Sequence, residues 1–155
     1  MATAPARLAN HHRGMRRPGP PRAAATAPTV TDGERIARGV AAIGLLGVGL
    51  IHLLDVVDKF DETAYIGVLY LALIGACVVA ARHLIVVGDR RSWLLAGGLA
   101  AATFAAYAVS RTIGLPAATD DVGNWAEPLG MASLFVEGAV VLLSAEMLAR
   151  FRRTA

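Results

Sequence analysis

His52, Asp55, Tyr107, Arg111 and Glu137 are the side chains best placed to do chemistry, because each lies within or at the edge of a long apolar stretch. Ionisable groups inside hydrocarbon are costly, turn toward the bundle interior, and mark functional positions by default. Depth follows from a rise of about 1.5 Å per helical residue. Counted from Ile36, His52 stands about 24 Å up, roughly 6 Å below the outer edge of a ~30 Å hydrocarbon core. Counted from Trp93, Tyr107 and Arg111 stand about 21 and 27 Å up. Glu137, entered from Pro128 on the opposite side, lies about 13 Å deep. These four residues share the outer half of the membrane and come from three different helices.

Helical spacing groups them further. Gly130, Ser133, Glu137 and Ser144 form one stripe, and Thr103, Tyr107, Ser110 and Gly114 form another with Arg111 at its flank. His52 and Asp55 are three apart and share a face. The three stripes predict a polar pocket opening outward, with Glu137 at its floor and Arg111, His52 and Asp55 nearer the mouth. Such a pocket suits a small ligand, an ion or a protein partner. One alternative is ion, proton or small-molecule transport with Glu137 as the titrating group, although no inverted repeat supports it. Another is a redox or quinone-linked membrane enzyme subunit using His52.

Plainer readings stand beside these. Glu137, neutral or paired with Arg111, can simply fix helix register. Arg111 can snorkel to the outer headgroups, and His52 and Asp55 can be helix-end residues without a ligand. Glu146 and Arg150 are four apart and read as a surface pair. Asp120 and Asp121 read as loop acids, since the calcium-loop pattern is absent.

No catalytic residue, metal or cofactor is expected. His52 and His83 differ in depth by about 21 Å, so they cannot ligate one haem. His52 with Met131 is the one pair whose ligand types would admit copper. The run from Gly44 to Gly49 lacks the strand–turn–helix context of a nucleotide loop. Cys77, the single cysteine, lies mid-span, excluding an internal disulfide and a lipid-modified start.

The elements that must position these residues are four apolar stretches at 36–57, 64–87, 93–115 and 128–149. The chain has 155 residues, 55% of them hydrophobic and 17% charged, with a mean hydropathy of +0.53. That is far from an ordinary soluble domain. Each stretch approaches or exceeds the roughly 20 residues that a spanning helix needs. Of 15 basic residues, only Lys59 and Arg111 fall outside the ends and loops that share one side. The positive-inside rule therefore predicts both termini in the cytoplasm of a multi-pass protein of the inner (plasma) membrane. The predicted fold is all-α: an integral membrane, antiparallel four-helix bundle over 32–155.

Residues 1–31, rich in Ala, Pro and Arg, read as a disordered cytoplasmic basic tail, and span 1 reads as an uncleaved anchor. The isoelectric point of 9.6 is assigned to attraction between basic ends and anionic headgroups, not to nucleic acid. Small residues at Ala72, Ala76 and Ala80, and at Gly97, Ala101 and Ala105, predict close helix packing. Tyr65, Trp93 and Trp125 are expected at the membrane–water boundaries. The partners implied are the lipid bilayer and a membrane protein or second copy of the chain.

Three segments carry a resemblance: Tyr107 to Pro116 with its Ser110-Arg111-Thr112-Ile113-Gly114-Leu115-Pro116 core, Gly123 to Gly130, and Ser133 to Glu137. With Ile51-His52-Leu53, Phe60 and Glu62, they resemble small four-span membrane proteins of high-GC bacteria over about residues 45–140. That group has no agreed activity, so the resemblance implies an architecture and draws attention to the same residues, without implying a reaction.

Overall fold

A computed structural model describes residues 31–153; the predicted tail over 1–31 therefore lies, apart from Thr31, outside the described residues. Four α-helices follow one another: α1 (Asp32–Glu62), α2 (Ala64–Val86), α3 (Arg90–Thr112) and α4 (Pro128–Arg153). All four are long and apolar enough to cross a membrane. The chain is an all-α four-helix bundle with the character of a polytopic membrane protein.

The bundle is inside-out relative to a soluble one. On α1, Ile36, Val40, Ile43, Leu50, Leu54 and Val57 face outward. Ala37, Ala41, Leu45, Val48, Gly49, His52 and Val56 face inward. Large side chains meet lipid while small ones let backbones approach, the arrangement expected where hydrocarbon surrounds the protein. α1 packs along α2 and α4, and α4 packs along α3. Gly49 is one seam, where an added Cβ would lie 3.5 Å from the Cβ of Cys77.

The small-residue stripes are only half used. Ala80 and Gly97 lie at packed positions, but Ala72, Ala101 and Ala105 are exposed. α2 and α3 touch less than the other neighbouring pairs, and both contribute to the wall of a cavity.

The end of the bundle that carries the α1 start and the α2–α3 turn is locally fixed. The Thr31 side chain accepts from the Glu34 N–H at 3.3 Å and so caps α1. Asp89 caps α3, accepting from the Ser92 N–H and hydroxyl, both at 2.8 Å. Those two bonds hold its carboxyl below the ordinary carboxylate range, the backbone one contributing most. A lowered folded-state pKa means that this cap is lost only as pH falls through that value.

Gly88 sits in the same turn at φ +63°, and an added Cβ would meet the Arg38 guanidinium. Arg38 is itself held by Glu34 and by the Val87 carbonyl at 3.4 Å. Gly88→Ala is expected to cost upward of about 1 kcal/mol, because alanine is strained at positive φ. A lowered midpoint of thermal unfolding in detergent checks this; an unchanged midpoint contradicts it.

Trp93, in the first turn of α3, turns into the bundle and is fully buried in the core with Leu45, Leu84, Ala96 and Met147. Tyr65 and Trp125 are exposed.

Candidate functional site

The half of the bundle that carries the α1–α2 and α3–α4 loops holds an open cavity of about 450 Å³. α1 contributes His52, Asp55 and Lys59, and α2 contributes Tyr70 with Leu69, Ala72, Leu73 and Ala76. Tyr107, Ser110 and Arg111 come from α3, Ser133 and Glu137 from α4, and Asp121 from the outer loop, with Glu127 directly before α4. All five side chains singled out by depth and spacing thus line one space.

Glu137 is fully buried. Its Oε1 accepts the Ser133 hydroxyl at 2.6 Å from one turn earlier on α4. Its Oε2 is buried and has no partner. A lone buried carboxyl oxygen is an acceptor left open, at a cost that protein interiors ordinarily avoid.

Arg111 does not pair with Glu137. It is 4% exposed, so it does not snorkel either. Its Nη2 bonds the Glu127 carboxylate. Its Nη1 lies 2.6 Å from Asp121 Oδ1, near enough for an ion pair although the N–H is not aimed at that oxygen. Tyr107 lies beneath it, with the guanidinium carbon 4.7 Å from the ring centroid, a cation–π stack.

The loop that supplies these acids is built to hold them there. Gly114 at φ +81° turns the chain out of α3, and Gly123 at φ +83° turns it back. Gly123 donates its N–H to the Arg111 carbonyl at 2.9 Å. Tyr65 fastens the loop to α2 by donating to the Pro116 carbonyl at 2.8 Å. Lys59 joins the network, 2.6 Å from Glu62 and 3.7 Å from Asp121.

On the other wall, His52 Nδ1 lies 2.9 Å from the Val48 carbonyl. A carbonyl can only accept, so Nδ1 carries hydrogen and the neutral ring keeps Nε2 as an acceptor. Tyr70 meets His52 edge-on, with centroids 4.6 Å apart. Its hydroxyl is 3.5 Å from Asp55 Oδ2, a long contact that leaves Asp55 weakly satisfied.

Tyr70, Lys59, Asp121 and Glu127 belong to the site and were not among its predicted members. Tyr70 is signalled by depth: six residues into α2, it lies about 9 Å from the helix start, beside His52 and Asp55. The loop acids are signalled by charge balance, since a buried guanidinium needs partners. The copper pair does not form: Met131 is 52% exposed while His52 is buried. Among the described residues no group of three or more His, Cys, Asp or Glu could hold a metal ion. His83, at the inner end, has its Nδ1 2.8 Å from the Ser92 hydroxyl. The Glu146–Arg150 surface pair is present at 3.0 Å.

No family model, no curated protein and no solved structure matches this chain.

Proposed function

We propose that this chain is a non-enzymatic accessory protein of the plasma membrane that holds a small, largely apolar molecule in an outward-facing pocket. Both termini lie in the cytoplasm in this reading, supported by the clustering of arginines at the ends of the bundle that carry Arg35, Arg82, Arg91 and Arg152. The resemblance to small four-span proteins of high-GC bacteria belongs to the same proposal.

The observation that carries the binding role is the cavity itself: about 450 Å³, lined by all four helices, with Glu137, whose Oε2 is unmatched, among its lining residues. Small-molecule sites have volumes of about 300–1,000 Å³, mostly apolar walls and a few convergent polar groups. A bare ion needs far less room. Passage through the protein is disfavoured because the inner half is packed by Leu45, Leu84, Trp93 and Met147, so the space ends where Glu137 stands.

The test is native mass spectrometry of the purified protein with two arylalkyl probes, 4-phenylbutanol and 4-phenylbutylamine. At least one is expected to give a saturable one-to-one adduct, which Ala76→Trp removes by filling the wall. The reading is lost if neither probe binds, or if the tryptophan variant binds both undiminished.

A further inference from the structure

We infer that the ligand is a small organic monocation: an apolar body carrying one ammonium-type group, with its charge placed on Glu137. The inference rests on the pocket reading and adds the chemistry of its occupant. Six charged side chains line the cavity, four of them acids. Both bases are already engaged, Arg111 by Asp121 and Glu127, and Lys59 by Glu62 and Asp121. Among the described residues neither Glu137 nor Asp55 makes an ion pair within 4 Å; Asp55 feels Lys59 one turn away only through space.

The hydrogen-bond inventory points the same way. Glu137 Oε2 has no donor, and the Tyr70 hydroxyl reaches Asp55 only at 3.5 Å. With Nδ1 of His52 turned to Val48, the ring offers an acceptor. A ligand must therefore bring donors and positive charge. Apart from the hydroxyls of Thr103, Tyr107, Ser110 and Ser133, the rest of the wall, including Leu73, Ala76 and Leu99, is hydrocarbon, so the remainder of the ligand must be largely apolar. An inorganic cation would leave that wall uncovered, and an anion would face two unpaired carboxyl groups.

Glu137 lies deep and Asp55 near the mouth, which divides their work. Asp55 raises the local concentration of cations at the entrance. Glu137 receives the charge in a water-poor site, where a hydrogen bond to an ionised partner is stronger than one between neutral groups.

The test measures affinities of 4-phenylbutylamine and of isosteric 4-phenylbutanol by calorimetry. The full chain sits in nanodiscs of zwitterionic lipid, which removes amine adsorption to anionic headgroups. The amine is expected to bind about tenfold or more tightly than the alcohol. Glu137→Gln keeps the shape and the Ser133 acceptor but removes the charge, and should erase that preference, bringing the amine's affinity to within about twofold of the alcohol's. Equal affinities in the unaltered protein overturn the inference and leave the pocket reading intact, as does a preference that survives in Glu137→Gln. Binding of neither probe overturns both. The comparison in the unaltered protein needs no variant to fold.

Discussion

Arg111→Met is expected to destabilise the protein by about 2–3 kcal/mol and to release the outer loop. Removing one member of a fully buried ion pair costs about 3–5 kcal/mol, because the partner's charge is stranded. Here the arginine is buried but Asp121 and Glu127 remain 33% and 29% exposed. Water can take up part of their charge, so the loss falls below that range. Methionine also forfeits the stack on Tyr107, whose hydroxyl reaches the Trp125 carbonyl at 3.4 Å. Unfolding in mixed micelles reads the stability, and protease cleavage within residues 116–127 reads the loop. If the stranded acids are the cause, the triple variant Arg111→Met, Asp121→Asn, Glu127→Gln recovers most of the loss. A single variant as stable as the parent, or a triple variant worse than the single, refutes the assignment.

Gly97→Leu should be comparably damaging at the other end of the bundle. A Cβ on residue 97 would lie 2.7 Å from the Cβ of Ser144. That atom is bonded to the α4 backbone and no rotamer moves it away. The two helices must separate, and the packing of Trp93, Ala96 and Ala100 opens with them. Overpacking costs about 1–3 kcal/mol, and a leucine here belongs at the upper end. Gly98 supplies the control: a Cβ there meets nothing within 4 Å, so Gly98→Leu should leave stability unchanged or raised through helix propensity. Equal effects at the two positions contradict close packing of α3 on α4.

Number, order and approximate length of the helices were legible because hydrophobicity and length settle them in a membrane. α1 runs well past its apolar stretch to Glu62 because Lys59 and Glu62 continue the helix as an ion pair at its outer end. Depth and stripe arithmetic selected His52, Asp55, Tyr107, Arg111 and Glu137, since rise per residue and periodicity are fixed by the backbone. Pairing was not legible. Arg111 and Glu137 look like partners by charge and by sharing one half of the bundle, yet the guanidinium turns to acids on a loop whose path depends on positive φ at Gly114, Ala117 and Gly123. The burial of Trp93 was not legible for a related reason. A ring near a helix end can face lipid or the core, and the residues packed around it decide which.

The incomplete contact between α2 and α3 has a thermodynamic consequence. Ala72, Ala102 and Ala106 line the cavity and are exposed, so the folded bundle leaves uncovered surface that an occupant can cover. An occupant that binds only the folded bundle shifts the folding equilibrium by mass action. Each further tenfold excess over its dissociation constant adds about 1.4 kcal/mol to the stability of the whole bundle.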